Sequence, residues 1–241
     1  MLIPPDLSQN RLLAALPVEE RDRLIPHLQP VVFDFKEILY DVNEPIEYVY
    51  FLLSGIVSLV IVLEDGSLIE VCTIGHEGFV GIPVFLGADQ APNQALSQIS
   101  GTALRMTAAA FKREVTPETI LYNLLLRYTQ AVLNQTSQMA ACNKLHSLEE
   151  RFCRWILMVQ NGLGKDQFPL TQEFIAQMLG VRRASVSVVA AAIQKAELIQ
   201  YSRGQITILD REGLEGTACE CYSILKTEFD RLIGNDPKIL P

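Results

Sequence analysis

The stretch Leu170-Thr-Gln-Glu-Phe-Ile-Ala-Gln-Met-Leu-Gly-Val-Arg-Arg-Ala-Ser-Val186 decides the reading of this chain. Two short helices that cross steeply need a small residue at the contact, a turn residue tolerant of positive φ, and apolar inward positions. Ala176 supplies the first, Gly180 the second, and Ile175, Leu179, Val181, Val186 and Val189 the third. Thr171 is placed to cap the first helix. The second helix is expected to run through Arg182 to about Ala196, leaving Arg182, Arg183, Ala184, Ser187, Val188 and Ala191 facing outward. Such a face suits the DNA major groove. Arginine bonds guanine O6 and N7 in bidentate fashion, and small apolar side chains touch thymine methyls. Ser185 and Ser187 are candidates for phosphate or base contacts. Gln172 would meet a phosphate beside the first helix's free amides. The segment Ile199-Gln-Tyr-Ser-Arg-Gly-Gln-Ile-Thr-Ile-Leu209 follows at once and reads as a hairpin wing, with Arg203 at its tip for the backbone.

Working outward, the charge distribution agrees. The 241 residues carry a net charge of −8, which by itself argues against a nucleic-acid binder. Residues 1–143 hold 8 Lys/Arg against 16 Asp/Glu, residues 144–211 hold 9 against 6, and residues 212–241 hold 3 against 6. The basic excess is confined to the segment containing the two helices, as a local DNA footprint requires.

Upstream, Tyr48-Val-Tyr-Phe-Leu-Leu-Ser-Gly55 and Ile56-Val-Ser-Leu-Val-Ile-Val-Leu63 are rich in β-branched and aromatic residues, and Asp65-Gly66 is a hairpin signal. Several short strands over about residues 31–106 predict a sandwich or barrel-like roll. From Pro117 no Gly or Pro occurs until Gly162. Within this stretch Leu121, Leu125, Tyr128, Val132, Gln135, Met139 and Cys142 alternate in steps of four and three, the pattern of a coiled-coil seam. A helix packed on its own β domain gives the same stripe; the length favours self-association, with Gln135 fixing register. Ser147-Leu-Glu-Glu150 has the form of a capping box and starts another helix.

The order of β-roll, long helix and winged helix-turn-helix resembles the cyclic-AMP receptor protein/FNR (Crp/Fnr) family of bacterial transcription regulators. The resemblance rests on Tyr50-Phe-Leu-Leu-Ser-Gly55, the Asp65-Gly66 hairpin, Gly75 with Gly81, and the stretch Leu170–Val186. It implies an α+β fold: a cyclic-nucleotide-binding-like β-roll sensor over 1–115, a dimerisation helix over 116–143, and a winged helix-turn-helix over 144–241. The implied partners are double-stranded DNA, bound as a homodimer on a pseudo-palindromic operator, and RNA polymerase. The implied DNA-binding residues are Thr171, Gln172, Arg182, Arg183, Ser185, Ser187, Val188 and Arg203. The dimer contact falls on Leu121, Leu125, Tyr128, Val132, Gln135 and Met139.

Departures from the family pattern carry information. The usual recognition helix has Arg, then Glu, then a second Arg one turn on; here these positions read Arg183, Ala184 and Val188, so the familiar operator preference does not transfer. In the family's cyclic nucleotide site a Gly-Glu pair holds the ribose and an Arg beside Ser or Thr holds the phosphate. Here Gly81 is followed by Ile82, and the phosphate segment Gln90-Ala-Pro-Asn-Gln-Ala95 has no Arg. No Lys or Arg occurs between Lys36 and Arg105. An enclosed phosphodiester without a cation pays a large desolvation cost, so the effector is expected to be something other than a cyclic nucleotide, or absent. Its expected surroundings are Gly75, Glu77, Gly81, Ile82, Asn93 and Gln94.

The remaining readings are negative. Three histidines, no P-loop and no Gly-x-Ser-x-Gly argue against an enzyme. The five cysteines include no C-x-x-C pair and no N-terminal cluster for iron and sulfide; His76 or Cys72 is the residue a haem would use. Cys219 and Cys221, one residue apart in an expected last helix, should point to different faces and act in packing. No metal, cofactor or membrane partner is expected, and a cytoplasmic location is the default. The competing reading is a roll that binds a ligand or regulates a partner without binding DNA.

Overall fold

The computed structural model describes residues 6–234. Two short helices, α1 (Arg11–Ala14) and α2 (Val18–Leu24), precede the roll. The roll's strands are β1 (Gln29–Phe33), β2 (Ile38–Tyr40), β3 (Tyr48–Leu52), β4 (Ile56–Val62), β5 (Leu68–Ile74), β6 (Phe79–Val80), β7 (Gln94–Ile99) and β8 (Gly101–Thr107). They form two four-stranded antiparallel sheets of order β1-β8-β3-β6 and β2-β7-β4-β5. The short helix α3 (Ile82–Phe85) interrupts them, and α4 (Ala108–Glu114) closes the roll. The Asp65-Gly66 signal is a hairpin between β4 and β5, with Val62 opposite Leu68. Gly66 adopts φ 80°, and the Asp65 carboxylate accepts the Ser67 amide at 2.9 Å. Phe33, Phe51, Phe79 and Phe111 fill the space between the sheets.

The long helix α5 (Ile120–Leu145) is capped by Thr119. It is followed by α6 (Leu148–Leu163), whose Ser147–Glu150 capping box is formed on both arms. The reader then comprises β9 (Gln167–Pro169), α7 (Gln172–Leu179), α8 (Arg183–Lys195), β10 (Ile199–Ser202), β11 (Gln205–Ile208) and α9 (Arg211–Thr217). A last helix, α10 (Cys221–Ile233), runs back along α5. Among the described residues no single helix is long and apolar enough to cross a membrane.

The stripe on α5 has a different partner from the one its spacing suggests. Leu121, Leu125, Tyr128 and Val132 are buried in the roll's own core together with Leu232 and Ile233. Gln135 is buried too, donating to the Thr73 carbonyl at 3.4 Å, and Met139 is enclosed. The six residues expected at a dimer contact are therefore covered within one chain. α10 does part of the covering: Phe229 meets Tyr128 edge-on at 6.2 Å, and Asn134 donates to Glu228 at 3.2 Å. The free face of α5 lies elsewhere, with Leu126 at 46% and Leu133 at 56% exposure beside exposed Gln130, Ser137 and Ala140.

Roll and reader share a packed junction, in which two contacts are especially close. Gly75 and Gly162 touch backbone to backbone: a Cβ on Gly75 would lie 2.3 Å from the Gly162 Cα. Fully buried Trp155 donates its indole N–H to Glu70 on β5 at 2.9 Å.

Candidate nucleic-acid interface

Helices α7 and α8 bend through 109° at Gly180, whose φ of 64° and ψ of 41° place it in the left-handed region. A side chain there would press on Ile69 of the roll, with a Cβ 3.0 Å from its Cδ1. Ile175, Ala176 and Leu179 of α7 pack on Val186, Ala190 and Ile193 of α8. Val181 and Val189, expected fully inside, are half-buried at the edge of this core. The apolar period thus fixes which side of α8 faces solvent.

That outer side begins with two arginines. Arg182 is the N-cap of α8 and makes no side-chain cap bond, so the first amides of the helix keep their partial positive charge unsatisfied. Arg182, Arg183 and Ala184 are exposed, and Val188 is 71% exposed. None of Arg182, Arg183 and Arg203 joins an ion pair among the described residues. Thr171 caps α7 by accepting the Phe174 amide at 3.2 Å. Ser187 donates to Gln172 Oε1 at 2.5 Å, tying α8 to the start of α7; Ser185 is half-buried. In the wing, Ser202 pairs with Gln205, and Arg203 and Gly204 form the tip at φ 51° and 74°. Positive φ at both residues is the two-residue turn that matches strand twist, and it lifts the Arg203 side chain clear of the sheet.

An open groove gathers Thr171, Gln172, Glu173, Arg183, Tyr201, Arg203 and Gly204. Four of the eight residues expected to meet DNA line it. Arg182, Ser185, Ser187 and Val188 lie on α8 outside it. Sequence reasoning passes over Tyr201, whose hydroxyl donates to the Leu170 carbonyl at 2.7 Å and holds the wing against α7. A single aromatic in a wing strand gives no signal until Leu170 is seen opposite it.

The residues expected around an effector do not converge. Gly75 and Glu77 sit at the junction with α6, where the Glu77 carboxylate accepts the Gly75 amide at 2.8 Å. Gly81 and Ile82 start α3. Gln94 donates to Asp41 at 2.8 Å, and Asn93 accepts from the Tyr40 hydroxyl at 3.4 Å. The phosphate segment is bonded into the 41–46 turn, with the Asn43 and Ile46 amides on the Ala91 and Asp89 carbonyls. A phosphate arriving there would face Asp41. Of the six residues only Glu77 lines the half-open cavity of about 210 Å³ between β5, α5, α6 and α10, where Thr73, Gln135, Tyr222 and Phe229 form the walls. His76 Nδ1 donates to the Gly162 carbonyl at 2.7 Å. Cys72 is buried in the roll, and that burial pushes its thiol well above the ordinary range.

An exposed recognition helix, a wing and an antiparallel roll joined to them through one long helix define a DNA-binding regulator with an attached sensor-type domain. Residues 150–217 match the Crp-like helix-turn-helix domain family, and residues 30–116 match the cyclic nucleotide-binding domain family. The Global nitrogen regulator of Synechocystis sp. (strain ATCC 27184 / PCC 6803 / Kazusa) is 24% identical over 214 residues, covering 84% of this chain and 93% of its own. In fold, the chain resembles FixK2 from Bradyrhizobium japonicum, with a TM-score of 0.69 at 17% identity over 80% of this chain and 98% of that one. A crp/fnr-family regulator from Eubacterium rectale ATCC 33656 gives 0.67 at 18% identity over 87% and 98%. The chain belongs to the Crp/Fnr family of DNA-binding transcription regulators.

Proposed function

We propose that this regulator binds a pseudo-palindromic operator as a homodimer, with Arg182, Arg183, Ser185, Ser187 and Val188 toward the major groove. Thr171, Gln172 and Arg203 hold the flanking backbone. The observation that carries this reading is the pair of exposed, unpaired arginines at the uncapped start of α8, beside a groove shared with the wing. It acts by binding rather than by catalysis, in the cytoplasm, with RNA polymerase as the partner of the DNA-bound form. A gel shift on promoter and random fragments across a salt series tests it: promoter binding should exceed random binding, and both should weaken with salt. Equal binding to both fragments would overturn sequence-specific readout.

The dimer contact is assigned to the free face of α5. Leu126, Leu133 and Ala140 recur every seven residues, and Gln130 with Ser137 supplies the intervening step, which is a heptad seam on the side that α10 and the roll leave uncovered. Changing Leu126 and Leu133 together to glutamate should turn the dimer into a folded monomer by sedimentation. The same change should abolish operator binding, because each protomer carries one half-site reader. A dimer that survives both substitutions would sink this assignment.

The effector is proposed to be other than a cyclic nucleotide. The segment that would hold its phosphate, Gln90–Ala95, carries no Lys or Arg, and Asp41 is bonded to it through Gln94. Titration calorimetry with cyclic AMP and cyclic GMP is expected to show no binding. Micromolar affinity, about −8 kcal/mol, would contradict this.

A further inference from the structure

We propose that Cys142, His146, Cys219 and Cys221 bind one zinc ion that clamps α10 to the end of α5. One donor atom from each residue lies within 4.8 Å of the other three. The Cys142 and Cys219 sulfurs are 3.5 Å apart, and the Cys221 sulfur is 3.5 Å from His146 Nδ1. Tetrahedral zinc, with bonds of about 2.3 Å to sulfur and about 2.0–2.1 Å to nitrogen, sets donor–donor edges of about 3.5–3.8 Å. The sulfur–nitrogen edge is at its expected length, and the sulfur–sulfur edge is about 0.3 Å short of the ~3.8 Å that two zinc–sulfur bonds set.

The chain brings the four together by a break. Cys142 lies in the last turn of α5, and His146 is its C-cap. A continuous last helix would send Cys219 and Cys221 to different faces. Instead α9 ends at Thr217, Cys219 lies in the connection, and Cys221 is the first residue of α10. Both sulfurs then turn toward α5, so the expectation that they point to different faces fails for this reason, while both are packed in one buried cluster with Cys142.

Two further observations fit a metal. The other ring nitrogen of His146, Nε2, lies 3.3 Å from a Glu220 carboxylate oxygen. A carboxylate that takes Nε2–H leaves the Nδ1 lone pair aimed at the centre, the usual outer-shell arrangement of a ligating histidine. Charge is the second. Zinc with three thiolates and a neutral imidazole carries −1. Arg154 is fully buried beside Cys142, and its Nε and Nη2 find no hydrogen-bond partner among the described residues; the same is true of Arg151 Nε. Neither arginine joins an ion pair among the described residues. Buried guanidinium groups without an ion-pair contact are costly, and an anionic centre beside them adds a counter-charge to that of the Glu70 carboxyl, which couples to Arg154.

Binding releases the three thiol protons to solvent, so affinity should fall in acid. Four protein ligands leave no open position, which makes the site structural.

The test is metal analysis of the full chain purified under reducing, oxygen-free conditions with zinc supplied. About one zinc per chain is expected for the wild type and for the controls Cys72→Ser and Cys153→Ser, with less than a tenth of that for Cys219→Ser/Cys221→Ser. Cobalt titration of the wild type removes any dependence on how that variant folds: it should give the intense visible bands of tetrahedral cobalt thiolate. A pale octahedral cobalt spectrum, iron with sulfide in place of zinc, a Cys142–Cys219 disulfide in the oxygen-free protein, or full zinc on the double variant would each overturn the proposal.

Discussion

Replacing Arg182 and Arg183 together with alanine is expected to cost at least about thirtyfold in operator affinity, since an arginine that reads a base is worth about 1–3 kcal/mol. The fold should be untouched. Both side chains are exposed, and neither is tied into an ion pair among the described residues, so nothing inside the protein is left unpaired. The salt dependence separates the two roles an arginine can play. A residue that serves only a phosphate lowers affinity on every sequence and reduces the salt slope by about 1, whereas a base reader lowers promoter binding and leaves random binding close to unchanged. Fluorescence anisotropy on labelled promoter DNA at several salt concentrations measures both effects, and undiminished promoter affinity in the double variant would refute the interface.

The second large effect belongs to the joint between roll and reader. Trp155→Ala should destabilise the protein by about 3–5 kcal/mol in urea unfolding, as expected for emptying a fully buried aromatic site. The cost has two parts, lost packing in the reader's core and a lost donor to Glu70. Glu70 itself is completely buried, and that burial pushes its carboxyl above the usual range despite donors from Ser58, Thr73 and Trp155 and the nearby Arg154 charge. The hydrogen-bond count fits a neutral acid as well as an ionised one with the Gln98 amide turned so that its otherwise unpartnered Nε2 donates to Ser58. Ser58 Oγ lies 2.6 Å from Glu70 Oε2 and 2.8 Å from Gln98 Oε1, yet it has one proton to give. A protonated Glu70 donates to Ser58 and frees that proton for Gln98. Because the folded pKa is raised, this carboxyl's stabilising contribution is complete below its unfolded value of about 4.3 and is lost as pH rises through the folded value. Glu70→Gln imitates the neutral acid. It should fold normally and show a flatter stability profile above pH ~4.3 than the wild type. A variant that keeps the wild-type slope would mean that Glu70 is ionised in place.

The reader and the roll were legible because their signals are local. Gly180 has to adopt positive φ, Thr171 and Ser147 have to cap, and Asp65-Gly66 has to turn, whatever lies around them. The alternation of aliphatics likewise fixed the outward face of α8, and with it the exposure of Arg182, Arg183 and Val188. The effector residues were less legible. A family pattern places Gly75, Gly81 and Asn93 near one ligand, but here the phosphate segment is bonded to its own turn and the cavity opens on the other side of β5.

Periodicity alone showed that α5 has an apolar stripe; it carried no information on what covers it. The answer depends on α10, nearly a hundred residues further along the chain, and on how the roll is closed. Those contacts bury the stripe from Leu121 to Met139 within the chain and leave Leu126 and Leu133, on the opposite face, exposed. The same folding-back decides the fate of the cysteines. Sequence spacing set Cys219 and Cys221 on opposite sides of a helix, while the break after Thr217 turns both toward Cys142 and His146. Capping, turning and amphipathic facing are short-range properties of a few residues, so sequence determined them. The partner of a buried face is set by the packing of distant segments, and only the tertiary structure decided it.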